Sequence, residues 1–238
     1  TDNCRAMISV ALMTGQIGRE GSGLHPLRGQ NNVQGASDAG LIPMMYPDYK
    51  GVNVASVKAM FEDLWGTELS DEPGLTVVET MDAVHDGSVT GMYVEGENPA
   101  MSDPDLHHAR GALAKLQHLV VQDLYVTETA MYADVVLPAS AWPEKDGTAS
   151  NTNRTVQMGR QAVNPPGDAR QDWWIIQELA NRMGLNWTYT HPKDVFAEMK
   201  QAMPSLNNLT WERLEREHSV TYPCPAEDHP GNDIVFID

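Results

Sequence analysis

An alternation of strand and helix patterns between residues 90 and 137 constrains the fold of this chain more than any other feature. Apolar runs predict strands at residues 90–95, 118–122 and 134–137, and helical patterns at 103–116 and 128–132 lie between them. Strands that alternate with helices form a parallel sheet with right-handed crossovers. The sequence therefore predicts an α/β fold built on a parallel sheet.

The flanking regions contain further helical patterns and two long irregular segments. Residues 3–14 predict a helix that ends at Gly15, and further helices are predicted at 53–65, 76–86, 172–183, 193–203 and 211–217. Residues 15–49 and 138–170 show no sustained period. The first of these segments is too long for an ordinary connector, so we expect it to be a functional loop.

Composition excludes two classes of partner. The formal net charge is -17 and the pI is about 4.7, whereas binding to a phosphate backbone needs clustered Lys and Arg. We therefore expect no nucleic-acid partner. No apolar stretch approaches the roughly 20 residues that cross a bilayer, and residues 1–3 lack the features of a signal peptide. We expect no membrane span and a cytoplasmic location.

The cysteines and the chain ends suggest a piece of a larger protein. Cys4 and Cys224 are the two cysteines and are far apart in sequence, so the chain cannot form a zinc or iron-sulfur site by itself. No metal-ligating set is predicted. The chain starts at Thr1 rather than Met and stops at Ile237-Asp238, from which we expect an internal fragment.

Polar residues follow each of the three predicted strands. They are Gly96 and Asn98 after the first strand, Gln122, Asp123 and Thr127 after the second, and Ser140 after the third. Ligands of open parallel sheets bind beyond the carboxyl ends of the strands, and these side chains can hydrogen-bond a nucleotide base and ribose. The same residue types also favour turns. A nucleotide site and ordinary turns therefore both remain open.

Arg28 is a candidate anion-binding residue. It lies between Pro26 and Gly29 in a polar, glycine-rich loop. A guanidinium held by such a loop matches a small carboxylate in a planar, bidentate arrangement. The alternative is a surface arginine in a salt bridge.

Three stretches of the chain resemble the molybdenum-dependent formate dehydrogenases of the molybdopterin oxidoreductase family. The first is HPLRGQNNVQGASD at residues 25–38, which is the stretch specific to formate dehydrogenases. The second contains GENPAMSDPD at 96–105, VVQDLYVTETA at 120–130 and ADVVLP at 133–138. The third contains WPEKDGT at 142–148, NTNR at 151–154 and DWW at 172–174. These motifs follow the family order and cover nearly the whole chain.

The resemblance implies a Rossmann-like, dinucleotide-binding core and a molybdenum centre with two molybdopterin guanine dinucleotides, of which this chain holds a partial site. Arg28 matches the residue that binds the formate carboxylate, and Gln30 matches a polar residue beside the pterin. Positions that contact one guanine dinucleotide are matched by Asn98, Gln122, Asp123, Lys145 and Asp172. The strand-end residues Gly96 and Thr127 complete the predicted cofactor-binding set.

The resemblance also implies a domain division. Residues 1–35 would end one pterin-binding domain and carry the arginine loop, and residues 36–150 would form a Rossmann-like half-domain that binds the guanine dinucleotide. Residues 151–238 would be a connecting, helical segment that packs on other domains of the parent subunit.

The implied function is that of a catalytic subunit that oxidises formate reversibly to carbon dioxide, in the cytoplasmic NAD-linked branch. Its partners would be iron-sulfur and flavin electron-transfer subunits. The metal's Cys or selenocysteine ligand and the iron-sulfur cluster would belong to the parent subunit rather than to this chain, so we expect the isolated chain to be inactive. The alternatives are a nitrate enzyme on the same scaffold, a molybdenum-free relative such as the scaffold subunit of respiratory complex I, and a non-catalytic binding module.

Overall fold

The computed structural model describes residues 2–232. Thr1 and residues 233–238, which include the Ile237-Asp238 end, lie outside the described residues. The helices are α1 (Asp2–Met13), α2 (Val33–Asp38), α3 (Ala55–Trp65), α4 (Val77–Asp86), α5 (Pro99–Ser102), α6 (Leu106–Leu113), α7 (Asp172–Arg182), α8 (Pro192–Ala202) and α9 (Trp211–Glu217). The strands are β1 (Met45–Tyr46), β2 (Lys50–Gly51), β3 (Gly91–Glu95), β4 (His118–Asp123), β5 (Val135–Pro138), β6 (Gly147–Ser150), β7 (Thr155–Gly159) and β8 (Ser219–Thr221).

The chain forms two compact units. The first comprises residues 1–71, 148–158 and 195–238, and the second comprises residues 72–147 and 159–194. The predicted division at residues 35 and 150 concerns the pterin-binding domains of a longer protein and stays a prediction. No helix among residues 2–232 has the length and apolar content needed to span a membrane.

The second unit contains the predicted parallel sheet. Its strand order is β3-β4-β5, with Val94 beside Val121 and Val121 beside Val136. Val121 is fully buried because the helices α4 and α6 cover the sheet with apolar side chains such as Met81 and Leu113. The α/β prediction with a parallel sheet is therefore confirmed, and the three strand positions are correct to within one residue.

Local signals explain where the helix α4 begins and ends. The Thr76 side chain accepts from the Glu79 amide, and the Glu79 carboxylate accepts from the Thr76 amide at 2.8 Å, which completes a capping box. Gly87 ends the helix with φ 86°. The predicted helix at 103–116 is shorter than expected, because the Asp105 side chain caps α6 and residues before it form α5.

Residues 138–170 were predicted to be irregular, and this prediction is wrong in part. They contain the strands β6 and β7, which form a second sheet with β8 in the order β6-β7-β8. The strands β7 and β8 are antiparallel, with Val156 beside Val220. These strands have three to five residues each, so the alternation of apolar and polar residues along them is too short to be recognised in the sequence. The positive φ of Arg154 marks the turn between β6 and β7.

Residues 15–49 were also predicted to be irregular, and they contain α2 and the strand β1. The helix α2 has six residues, which is less than two turns and too short for a periodic pattern. Its neighbour β1 pairs with β2 in an antiparallel ladder. The core of the first unit lies around Phe61, Leu209 and Leu214, whose side chains are fully buried.

Candidate functional site

A cavity of about 430 Å³ in the first unit has Arg28 in its wall. Its lining comes from the loop before α2, from α2 itself and from the turn between β6 and β7, through residues that include Gln30, Gln34 and Asn151. Asn32 connects these segments, because its side-chain oxygen accepts from the Ser150 amide at 2.8 Å. The structure therefore places Arg28 and Gln30 in the wall of one cavity.

The Arg28 side chain is exposed, and no carboxylate among residues 2–232 lies within 4 Å of its guanidinium. Within the part of the chain that is described, the alternative of a surface arginine in a salt bridge is therefore not supported, and the anion site stays a prediction.

The close approach at Gly35 yields a first prediction. A Cβ at Gly35 would overlap the Asn32 Oδ1 atom and would lie 3.3 Å from the Ser150 Cβ. The Oδ1 atom cannot move away without losing its bond to Ser150.

We expect Gly35→Ala to destabilise the first unit by about 1–3 kcal/mol, although alanine favours a helix. Chemical denaturation measures this loss. Gly29→Ala is the control, because no atom lies within 4 Å of its Cβ position, and an equal loss there would contradict the account.

The second unit brings together three predicted cofactor-binding residues at the carboxyl end of its parallel sheet. Gln122 is the residue before the last of β4, and it donates through its amide nitrogen to the Asp172 carboxylate at 2.8 Å. The other Asp172 oxygen accepts from Lys145, which also donates to the Ser140 carbonyl at 3.0 Å. Asp172 is the first residue of α7, where a negative charge is favoured by the helix dipole. Gln122 is fully buried, so it acts on this edge mainly by holding Asp172.

Asn98 anchors a second polar group beyond the end of β3. Its Oδ1 atom accepts from the Thr129 hydroxyl at 2.7 Å and from the Thr129 amide at 3.1 Å, and its Nδ2 atom donates to Glu128 at 2.7 Å. The hydrogen bond from Asn98 is the largest cause that lowers the pKa of the Glu128 carboxyl. The 127–129 segment is thereby fixed against the strand end.

The remaining predicted residues shape the turns at this edge. Gly96 has φ 64° and donates its backbone N–H to the Gln122 carbonyl at 2.9 Å. One Asp123 oxygen accepts from the Leu124 amide at 2.6 Å, and Thr127 caps the next turn by accepting from the Ala130 amide at 3.2 Å. The other Asp123 oxygen has no hydrogen bond within residues 2–232.

Sequence reasoning missed two residues of this cluster, Tyr93 and Glu95. The Tyr93 hydroxyl donates to the Gln122 side-chain oxygen, and Glu95 accepts from Gln122 at 3.2 Å. Burial, followed by the charge of Asp172, raises the pKa of the Glu95 carboxyl. Both residues also line a cavity of about 510 Å³ in the second unit. The available signal was their i, i+2 spacing, which places two polar side chains on one face of a strand.

The Tyr93 phenol supports a second prediction. Burial, then the charges of Glu95 and Asp172, raise the pKa of Tyr93 to about 12. Because this pKa is raised on folding, the stabilisation is present below the ordinary value of 10.0 and is lost as the pH rises toward about 12. Near-ultraviolet titration of wild type against Tyr93→Phe isolates this ionisation. A difference spectrum that titrates near pH 10 would show that burial and the charges of Glu95 and Asp172 do not raise the pKa of Tyr93.

Comparison with known proteins shows the family of the chain. Residues 1–182 match the family described as molybdopterin oxidoreductase, and the chain belongs to the molybdopterin oxidoreductase family. It is 45% identical over 239 residues to the F420-dependent formate dehydrogenase subunit alpha of Methanocaldococcus jannaschii, with 100% of this chain and 35% of that protein covered. The F420-dependent formate dehydrogenase 1 subunit alpha of Methanococcus maripaludis is 41% identical, with the same coverage of both proteins.

The chain thus spans about a third of the length of these two curated relatives. Among solved structures, the acetylene hydratase of Pelobacter acetylenicus is similar with a TM-score of 0.53 over 76% of this chain and 26% of that protein, at 21% identity. This likeness concerns the fold. The predicted family and the predicted α/β class are confirmed.

Proposed function

We propose that this chain is part of the catalytic subunit of a formate dehydrogenase, which oxidises formate reversibly to carbon dioxide. The observation that carries the proposal is the cavity around Arg28, whose guanidinium has no carboxylate partner among residues 2–232. Support comes from the names of the two archaeal relatives, which identify them as formate dehydrogenase subunits.

The chemistry proposed for Arg28 follows from the planar shape of its guanidinium group. Formate is a planar monoanion with two equivalent oxygens, and a guanidinium presents two parallel N–H donors that match them. Oxidation of formate yields carbon dioxide, a proton and two electrons, and a bound molybdenum-pterin centre would accept the electrons. The role of Arg28 is to hold the carboxylate in one orientation and to stabilise its charge while the carbon loses its hydrogen. Gln30 lies in the same cavity and is the proposed contact with the pterin.

The polar groups at the carboxyl end of the parallel sheet fit the base and ribose of a guanine dinucleotide. The free Asp123 oxygen and the partly exposed Asp172 carboxylate can accept N–H groups of a guanine or hydroxyls of a ribose. The Ser140 Oγ atom is buried and has no hydrogen-bond partner among residues 2–232, so it is available to a ligand. Because carboxylates repel phosphates, we place the base and the ribose here, with Lys145 beside the nearest phosphate.

The remaining proposals rest on the resemblance to formate dehydrogenases. The centre would carry two guanine dinucleotides, with the metal's cysteine or selenocysteine ligand and an iron-sulfur cluster in the rest of the parent subunit. We therefore propose that the 238-residue chain has no turnover by itself. Residues 1–35, 36–150 and 151–238 would belong to the three segments described above, and the subunit would be cytoplasmic with iron-sulfur and flavin partner subunits. The acceptor proposed is NAD, although the two archaeal relatives carry F420 in their names.

The experiment that tests the proposal compares formate and nitrate as substrates of the full-length protein. Viologen dye reduction with formate and dye oxidation with nitrate are measured at a known molybdenum content, and NAD and F420 are then compared as acceptors. We expect turnover with formate and none with nitrate. Turnover with nitrate alone would show that the protein is a nitrate enzyme on the same scaffold. A full-length protein that binds no molybdenum would favour the molybdenum-free alternative.

A further inference from the structure

A buried carboxylate lies behind the Arg28 cavity. Asp38 is the last residue of α2 and is 4% exposed. One of its oxygens accepts from the hydroxyl of Tyr222, which is itself 5% exposed. The other oxygen accepts from the Gln34 side-chain nitrogen at 2.7 Å. Asp38 and Gln34 lie in the stretch that resembles formate dehydrogenases, and neither is among the predicted site residues.

These contacts determine which way the Gln34 amide faces. An ionised carboxylate only accepts hydrogen bonds, so the Gln34 nitrogen must face Asp38. The same nitrogen donates to the Tyr49 hydroxyl at 3.1 Å, and both of its hydrogens are thereby used. Gln34 lines the Arg28 cavity, and its amide oxygen has no hydrogen-bond partner among residues 2–232. The oxygen is therefore the amide atom available to the cavity.

Two tyrosine hydroxyls, those of Tyr222 and Tyr49, lie against the Asp38 carboxylate. Burial raises the pKa of the Tyr222 phenol, and the hydrogen bond and charge of Asp38 raise it further. Burial also raises the pKa of Tyr49, with the charge of Asp38 as the next cause, while the charge of Arg28 lowers it. Arg154 also lies near this group and donates to the Tyr222 carbonyl at 2.8 Å. The donors that face the Asp38 carboxylate are thus the Tyr222 and Tyr49 hydroxyls and the Gln34 amide nitrogen.

We propose that Asp38 is a positioning residue that turns the Gln34 amide oxygen toward the anion held by Arg28, and that this oxygen makes the cavity prefer formate to nitrate. Both ions are planar monoanions that offer two oxygens to a guanidinium. They differ in the third substituent, which is hydrogen in formate and oxygen in nitrate. A fixed carbonyl oxygen tolerates a C–H group and repels a third anionic oxygen. The inference rests on the proposed formate function and adds the residues that set its selectivity.

The test measures anion binding at Arg28 in the full-length protein, independently of turnover. Phenylglyoxal modifies accessible arginines, and mass spectrometry of the Arg28 peptide reports how much formate or nitrate is needed for half-protection. In the wild type we expect formate to protect at a concentration about tenfold lower than nitrate. Gln34→Leu should bring the ratio close to one, because the discriminating oxygen is lost.

Asp38→Asn gives a sharper expectation. An asparagine whose side-chain oxygen accepts from Tyr222 presents its own N–H groups to Gln34. The Gln34 amide should then flip, so that its oxygen faces the asparagine and its nitrogen faces the cavity. Nitrate should then protect as well as formate or better. Asp48→Asn is the matched control, because Asp48 is a half-buried aspartate of the same unit that bonds Ser205 rather than a residue of the cavity. Its protection ratio should equal that of the wild type.

The outcomes separate this inference from the proposed function. Formate turnover and formate protection in the wild type, with the same ratio in Gln34→Leu, would overturn the selectivity role alone. Formate protection without turnover would refute the proposed function and leave the ratio to decide the role of Gln34. Equal protection by both anions in the wild type would overturn the inference directly. If Asp38→Asn does not fold, the Gln34→Leu ratio decides.

Discussion

Arg28→Ala is expected to lower formate turnover by the full-length enzyme about ten- to a hundredfold at equal molybdenum content. The variant removes a charge-assisted, bidentate contact to a carboxylate, which is worth about 1.5–3 kcal/mol, and each 1.4 kcal/mol corresponds to about a tenfold change in rate. The side chain is exposed and has no carboxylate partner within residues 2–232, so its removal should leave the fold intact. Steady-state rates with formate and a viologen dye measure the effect.

Two further variants sharpen this prediction. Arg28→Lys keeps the charge and loses the planar fork, so we expect an intermediate rate. Arg19→Ala removes an exposed arginine that bonds Gln16 and does not line the cavity, and it should retain wild-type turnover. An Arg28→Ala enzyme as active as the wild type would refute the assignment of this residue and leave the family unchanged.

Phe61→Ala is expected to reduce the free energy of unfolding by about 3–5 kcal/mol. Phe61 is fully buried in the first unit, and its ring centroid lies 4.7 Å from that of Tyr46 and 4.8 Å from that of Trp65. Truncation leaves a cavity that these rings cannot fill without moving. The loss is large compared with the whole stability of an ordinary domain. Urea unfolding followed by tryptophan fluorescence measures it.

The control for this variant lies on the same helix. Met60 is 42% exposed, and Met60→Ala should change the free energy of unfolding by less than about 0.5 kcal/mol. If the two variants lose the same stability, Phe61 does not occupy the core position that the structure gives it. Such a result would also question the local structure that supports the Arg28 loop, because Phe61 and the loop belong to one unit.

The parts of the fold with a strong local period were predictable from sequence. The strands β3, β4 and β5 and the helices α3, α4, α7, α8 and α9 follow continuous patterns with clear ends. The strands β6 to β8 have only three to five residues each, and β8 pairs with β7 from a distant part of the chain, so no local window contains their full signal. The short helix α2 was missed for a similar reason, since it is stabilised by tertiary contacts such as the bond between Asp38 and Tyr222.

The residues of the candidate sites were predictable only in part. Topology placed Asn98, Gln122 and Asp123 at the carboxyl end of the sheet, whereas Lys145 and Asp172 came from the resemblance to formate dehydrogenases. Asp172 bonds both Gln122 and Lys145, which lie far from it in sequence. Tyr93 and Glu95 had a local signal in their i, i+2 spacing on one strand. The bond between Asp38 and Tyr222 joins distant residues, so the position of Asp38 could not be predicted.

Conversion of isotopically labelled formate by the full-length, metal-loaded protein is the direct test of the proposed formate dehydrogenase function. We expect labelled carbon dioxide to appear, with two electrons delivered to a dye for each molecule formed. A protein with bound molybdenum and pterin that releases no labelled carbon dioxide would contradict the proposed function, and the anion cavity around Arg28 would then need another substrate.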